Sequence, residues 1–216
     1  MTEGSAITSI RQYLELLAEM RASDISMEGF VLRHGVAFES NALSLAEINI
    51  VHAAYKRAAV RCAFEMRECW WNAKALVKAD KTGTLRYAEG YANNMIPTLH
   101  AWVAINGKVV DLTWRKNFRE PGTFENWRVG VFEPPIEYHG IIFSAEELRE
   151  FMPKHKGSLI DNYEERWPLL HSTDFRTPAR LPHVPFHEGR HRSPGPGPRD
   201  QRSHQGGDQP GFRPSR

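Results

Sequence analysis

The sequence is poor in cysteine, which excludes a fold held together by a disulfide framework. Only two cysteines occur in 216 residues, and Cys62 and Cys69 lie seven positions apart. On one continuous helix that spacing would separate them by about 10 Å, beyond the reach of a disulfide bond. Each thiol therefore needs its own explanation.

Long apolar runs and a strong net charge are also absent. No segment approaches the roughly 18 consecutive apolar residues of a membrane span, and residues 1–5 lack the basic start of a secretion signal. We therefore expect a cytoplasmic protein with no membrane partner. Lys and Arg number 28 against 26 Asp and Glu, and this net charge of +2 does not indicate nucleic acid as a partner.

The end of the chain has almost no apolar side chains. After Phe186 the only one is Phe212, in a segment rich in Gly, Pro, Arg, Ser and Gln. Such a segment cannot bury enough surface to offset the entropy lost on ordering. We predict a single domain over residues 1–186 and a disordered tail over 187–216. The tail is weakly basic and lacks interleaved aromatic residues, so we do not expect it to bind nucleic acid.

Within the predicted domain, helical patterns flank a centre rich in strand patterns. Apolar residues recur at helical spacing over 7–21, and capping boxes begin at Ser44 and Ser144. The pattern over 84–113 is typical of strands, and 159–167 is predicted to form a last helix.

These patterns predict an α+β fold with helices packed on an antiparallel sheet. We expect a helical N-terminal part over about 1–64, a core over about 65–143 and C-terminal helices over about 144–170.

The pair Asn106-Gly107 lies between two β-rich runs and predicts a tight hairpin. A two-residue type I′ turn needs positive φ at both central positions, which Asn and Gly tolerate. The turn fixes the register of the two strands. The expected pairs are Ile105 with Lys108, Ala104 with Val109, Val103 with Val110, and Trp102 with Asp111.

Strand alternation then separates an apolar face from a polar one. Leu99, Ala101, Val103, Ile105, Val110 and Leu112 share the face expected to meet the core, and His100, Trp102, Asp111 and Thr113 share the other.

His100 and Asp111 become diagonal neighbours about 7–8 Å apart, within reach of a carboxylate–imidazole hydrogen bond. An Asp in that place would fix the tautomer of the ring and stabilise the imidazolium. A thiol beside the other ring nitrogen would lose its proton to the ring and become a nucleophile. Cys69 is the candidate thiol, although spacing alone does not bring it to His100.

The combination resembles a known superfamily. Cys69, followed about thirty residues later by His100-Ala101-Trp102 and then by Asp111-Leu112-Thr113 after a hairpin, resembles the Cys, His, Asp triad of the transglutaminase-like superfamily, a branch of the papain-like cysteine enzymes. The resemblance covers about residues 65–115.

The resemblance implies a papain-like core in which the nucleophile Cys69 begins a helix packed on an antiparallel sheet. His100 would be the base and Asp111 its orienter. It also implies acyl transfer without a metal or other cofactor, by amide hydrolysis or transamidation through a thioester. The substrate would be a peptide, a protein or a small amide.

One feature of the sequence conflicts with this assignment. Residues 61–68 have the pattern of uninterrupted helix, so either the helix breaks around 65–68 or Cys69 lies in mid-helix and is inert. A helix over 44–80 would have 37 residues, far above the mean of about 11–12. We therefore predict the break.

Three further residues are candidates for the site. Asn72, on the same helix face as Cys69, is a possible oxyanion donor or substrate-orienting group, and the alternative is a cap or a satisfied polar contact. Glu89 places a charge inside a strand-like run, either beside the site or in a structural contact. Trp102, with Trp70, Trp71 and Trp114, either shapes an acyl-acceptor channel or belongs to the core.

Two other functions stay open. One is a catalytically inactive transglutaminase-like binding module. The other is a metal-dependent hydrolase, because residues 187–191 match the zinc motif H-E-x-x-H. Gly189 and the flanking prolines disfavour the helix that this motif requires. A zinc site built from Cys69, His100 and Asp111 would lack closely spaced ligand pairs.

Overall fold

A computed structural model of the chain describes residues 9–21, 25–93, 95–117, 119–129, 136–152, 157–172 and 175. All of them belong to one compact unit, Met1–Leu181. The predicted tail, 187–216, and the zinc-like motif within it lie outside the described residues.

Helices surround the strand-rich centre. They are α1 (Ile10–Arg21), α2 (Met27–His34), α3 (Leu45–Ala59), α4 (Cys69–Ala79) and α5 (Ala145–Glu150). Both predicted capping boxes are confirmed, since Ser44 and Ser144 each accept a hydrogen bond from the backbone of a Glu three residues on and each Glu returns one. Among the described residues, no helix is long and apolar enough to cross a membrane.

The predicted helix over 159–167 is wrong, since the described chain has only a 3-10 turn at Tyr163–Glu165 there. The backbone amides of Leu159 and Ile160 donate to the carboxylate of Glu89, at 2.9 and 3.2 Å. These contacts attach the start of the segment to β2. The backbone leaves the helical course at its other end, where Arg166 and Trp167 have positive φ values of 60° and 49°.

Six strands form one antiparallel sheet. They are β1 (Val36–Phe38), β2 (Arg86–Asn93), β3 (Pro97–Ile105), β4 (Lys108–Arg115), β5 (Trp127–Val129) and β6 (Glu137–Phe143), in the order β1-β6-β2-β3-β4-β5. The predicted α+β class with an antiparallel sheet is therefore confirmed. Helix α2 and strands β1 and β5 were not predicted, and all three are short.

The β3–β4 hairpin has the predicted turn and three of the four predicted pairs. Asn106 and Gly107 have φ values of 50° and 80°, and the pairs run from Ile105–Lys108 to Val103–Val110. The predicted Trp102–Asp111 pair is not part of the ladder. Glu47 on α3 also holds this turn. Its carboxylate accepts hydrogen bonds from the Asn106 side-chain amide at 2.8 Å and the Lys108 ammonium at 2.9 Å.

The two faces of the sheet carry two apolar clusters. The larger one joins helical residues to the face that contains Ala101, Val103 and Ile105, as predicted. The smaller one lies on the opposite face and includes Trp102 and Tyr138. His100 shares the face of the smaller cluster, because strand side chains alternate.

Candidate active site

The helix predicted to break before Cys69 does so. Helix α3 ends at Ala59 and α4 begins at Cys69, so the break is confirmed, and it extends over residues 60–68. The backbone amides of Cys69 and Trp70 donate to none of the described residues. The first amides of a helix point outward and carry a partial positive charge, so the thiol lies in a place that favours an anion.

The imidazole of His100 is held by the carboxylate of Asp111. His100 Nε2 lies 2.8 Å from Asp111 Oδ2, and both residues are buried. Asp111 accepts two further hydrogen bonds, from the Tyr138 hydroxyl to Oδ2 at 2.9 Å and from the Thr113 amide to Oδ1 at 2.8 Å. Three donors thus compensate the burial of this carboxylate.

The Cys69 thiol is the third member of a row that runs from Cys69 through His100 to Asp111. Cys69 and His100 line the same cleft, and the thiol is close enough to raise the pKa of the ring. Since Nε2 faces Asp111, the ring nitrogen left for the thiol is Nδ1. Burial alone lowers the pKa of His100. The charge and hydrogen bond of Asp111, followed by the interactions with Cys69, outweigh it and raise the pKa to about 10. The ring is therefore an imidazolium at neutral pH.

The pairing between β3 and β4 stops before it reaches His100 and Asp111. The last pair of the ladder is Val103–Val110. Beyond that pair, side chains rather than the opposite strand bind the backbone of β4. Asn72 donates to the Leu112 carbonyl at 3.0 Å, and Asp111 accepts from the Thr113 amide.

Trp114 lies flat against the catalytic imidazole candidate. The ring centroids of His100 and Trp114 are 4.2 Å apart and their planes are inclined by 7°. The face of an indole is electron-rich and attracts a cation. Trp114 therefore both orients the ring of His100 and favours its charged form.

A cleft of about 320 Å³ opens onto these groups. Its lining includes Arg67, Cys69, Trp70, Leu99, His100 and Trp114. The side chains of Cys69 and His100 therefore both lie at the wall of this cleft.

Trp102, predicted to shape a channel, packs behind the site. It is 1% exposed, does not line the cleft and belongs to the smaller apolar cluster. Its ring lies over Gly140, where a Cβ atom would come within 2.6 Å of Trp102 Cη2. Trp102 therefore belongs to the core and does not shape a channel.

Asn72 has a structural role in place of the proposed oxyanion one. Its amide nitrogen donates to the carbonyls of Glu65 and Leu112 and to the Thr113 hydroxyl, at 2.7, 3.0 and 3.2 Å. Its oxygen accepts from the Glu65 amide at 3.2 Å. No side-chain donor is left for a substrate, because both amide hydrogens are used. Asn72 instead ties the segment before Cys69 to β4.

Glu89 also lies apart from the row. Its carboxylate is fully buried on the helix-covered face and accepts hydrogen bonds from the Tyr87 and Ser158 hydroxyls and from two backbone amides. This set of donors satisfies a buried charge. Glu89 therefore anchors the segment around Ser158 to the sheet and does not line the cleft.

Tyr138 is the residue of the site that sequence reasoning missed. Tyr138 lies on β6 and Asp111 on β4, with β2 and β3 between them in the sheet, and the Tyr138 hydroxyl donates to Asp111 across these two strands. The sequence predicts a strand that contains Tyr138, but it does not predict which strands lie beside it in the sheet. Only the strand order places its hydroxyl at the carboxylate.

Among the described residues, no three His, Cys, Asp or Glu side chains form a group that could hold a metal ion. Comparison with models of protein families, with curated proteins and with solved structures gives no match to this chain. The functional assignment accordingly depends on the chemistry of the site.

Proposed function

We propose that this chain is a cysteine-dependent acyl-transfer enzyme with a papain-like core of the transglutaminase-like type. The observation that carries the proposal is the continuous row from the Cys69 thiol through the His100 imidazole to the Asp111 carboxylate. A thiol at a helix N-terminus beside an imidazolium is the usual setting of an activated cysteine.

In the proposed reaction, the Cys69 sulfur attacks the carbonyl carbon of an amide. The electron pair of the carbonyl moves onto its oxygen, where the free backbone amides at the start of α4 support the developing charge. His100 then gives its proton to the leaving amine as the C–N bond breaks, which leaves a thioester on Cys69.

The thioester is resolved by a second nucleophile. Water or an amine attacks the acyl carbon, His100 accepts the proton of this nucleophile, and the C–S bond breaks to regenerate the thiolate. Asp111 and Trp114 hold the ring of His100 through both halves of the reaction. Water gives hydrolysis, and an amine gives transamidation.

A catalytically inactive binding module with the same core is the second candidate. The observation that favours it is the small exposure of Cys69, which is 5%. A nucleophile must be reached by its substrate, whereas a cysteine that only fills space needs no access.

Acylation of Cys69 tests the proposal. We expect p-nitrophenyl acetate to release p-nitrophenol in a burst equal to the enzyme concentration, and mass spectrometry to find the acetyl group on Cys69. Cys69→Ser should abolish the burst. Cys62→Ser is the matched control and should keep it, because Cys62 does not line the cleft and its thiol donates to the Ala58 carbonyl. A wild-type protein without a burst would contradict the proposal.

A further inference from the structure

The charged groups that line the cleft are of one sign. Arg67 and His100 line it, and none of the described lining residues is acidic. The other lining residues beside Cys69 are uncharged, namely Met66, Trp70, Thr98, Leu99, Thr113 and Trp114. Asp111 lies behind His100 with both of its oxygens already hydrogen-bonded. The cleft therefore presents positive charge to an entering molecule.

Arg67 is fixed at the cleft by its backbone. Its φ is 72°, in the left-handed region that a residue with a side chain rarely adopts. Such a conformation persists where neighbouring contacts hold it, and it is frequent at functional sites. Here Asn72 binds both the amide and the carbonyl of Glu65, and the Glu68 amide donates to the same carbonyl at 3.4 Å.

The guanidinium of Arg67 is available to a ligand. The residue is exposed and forms no ion pair or hydrogen bond with any residue that the structure describes. Glu65 and Glu68 flank it in the chain, but neither pairs with it or lines the cleft. The indoles of Trp70 and Trp114 line the cleft beside it.

We propose that Arg67 is a specificity-determining residue that binds an anionic group of the acyl substrate. The substrate class is then an amide or related acyl compound with a carboxylate close to the carbonyl that Cys69 attacks. A guanidinium suits this group because its parallel N–H bonds match the two oxygens of a carboxylate. This inference rests on the proposed function, since it requires Cys69 to be the nucleophile.

A pair of alkylating reagents that differ in charge tests the inference. Iodoacetate and iodoacetamide transfer similar groups to sulfur, but only the first carries a carboxylate. The measured quantity is the ratio of their rate constants at Cys69, read by peptide mass spectrometry, with Cys62 in the same molecule as the internal reference. The iodoacetamide rate of each variant corrects for any change in thiolate content.

We expect the ratio at Cys69 to exceed that at Cys62, and Arg67→Gln to lower it by about fivefold, the upper range for an exposed ion pair. Arg67→Lys should restore at least half of the preference, and added salt should weaken it. Arg61→Gln, an exposed arginine of the same connection outside the cleft, is the matched control and should leave the ratio unchanged.

The outcomes separate the inference from the proposed function. Rapid iodoacetamide labelling of Cys69 with an identical ratio in wild type and Arg67→Gln would overturn the role of Arg67 and leave the nucleophile in place. Labelling of Cys69 that is no faster than that of Cys62 would overturn the proposed function, and the substrate class would fall with it.

Discussion

The indole of Trp114 stacks on the imidazole of His100 at a centroid distance of 4.2 Å. Asp111 forms a hydrogen bond with the edge of the same ring. The ring is thus held by a carboxylate at its edge and by an aromatic face beside it. Both contacts favour the imidazolium.

Replacing Trp114 should lower the pKa of His100. Trp114→Leu removes the stacked face and keeps an apolar side chain in the cleft wall. We expect the NMR titration of the ring to move to lower pH, for a loss of roughly 1 kcal/mol of cation–π stabilisation. Trp114→Phe keeps an aromatic face and should retain most of the wild-type pKa. The same titration in Trp114→Leu and wild type would show that the stack is only packing.

Removing the charge of Asp111 should have a larger effect. In Asp111→Asn, burial continues to lower the pKa of His100 while the opposing carboxylate is gone, so the imidazolium is lost at neutral pH. We expect labelling of Cys69 at pH 7 to fall at least about tenfold. The titration of His100, followed by NMR of the ring, should move to lower pH. A variant with unchanged labelling would place the activation of Cys69 elsewhere.

Asn72→Ala should destabilise the fold. The substitution leaves the buried Leu112 carbonyl and the part-buried Glu65 amide without their hydrogen-bond partner. We expect the free energy of unfolding in urea to fall by about 2–4 kcal/mol. Asn41→Ala, which removes an exposed contact to Glu39, is the matched control and should change it by less than about 0.5 kcal/mol. If both variants were equally stable, the structural role assigned to Asn72 would be wrong.

Glu47 should make the stability of the protein sensitive to acid. Burial raises the pKa of its carboxyl, but hydrogen bonds from Lys108, Asn106 and the Ser44 backbone outweigh it and lower the pKa from 4.5 to about 2. Because the folded pKa is below the ordinary value, this stabilisation is present above about pH 4.5 and is lost as the pH falls towards 2.

The corresponding test compares Glu47→Gln with wild type in urea at several pH values. We expect the variant to be less stable by about 1–2 kcal/mol at pH 6, since charged hydrogen bonds are lost. The difference should shrink as the pH falls below 4.5. Glu19→Gln, at an exposed position of α1, is the control and should show no such trend. A difference independent of pH would contradict the role given to the Glu47 charge.

Local sequence patterns predicted the parts of the site that lie close together in the chain. The turn at Asn106-Gly107 fixed the register of the first three pairs, and the alternation of the two strands assigned His100 and Asp111 to one face, where they form a hydrogen bond. The break before Cys69 followed from helix length alone. These features depend on backbone geometry over a few residues, which side-chain identities determine directly.

Contacts between distant segments could not be predicted in the same way. Asn72 was a candidate for the site because it shares a helix face with Cys69, and Glu89 because it places a charge inside a strand-like run. Their partners are largely backbone groups of distant segments, and every residue has such groups, so the sequence gives no signal for these contacts. The helix expected over 159–167 is only a 3-10 turn, because Arg166 and Trp167 adopt positive φ, which the apolar pattern of the segment does not reveal. Tyr138 required knowledge of the strand order.

The pH dependence of iodoacetamide labelling at Cys69 tests the central claim most directly. We predict rapid labelling at pH 6, at least about tenfold faster than at Cys62, because burial raises the pKa of the Cys62 thiol, whereas the Cys69 thiol lies beside the raised-pKa imidazole of His100. His100→Ala, and His100→Gln as a variant that keeps a polar group, should abolish this advantage. Labelling of Cys69 with the same rate and pH dependence in wild type and both variants would contradict the account.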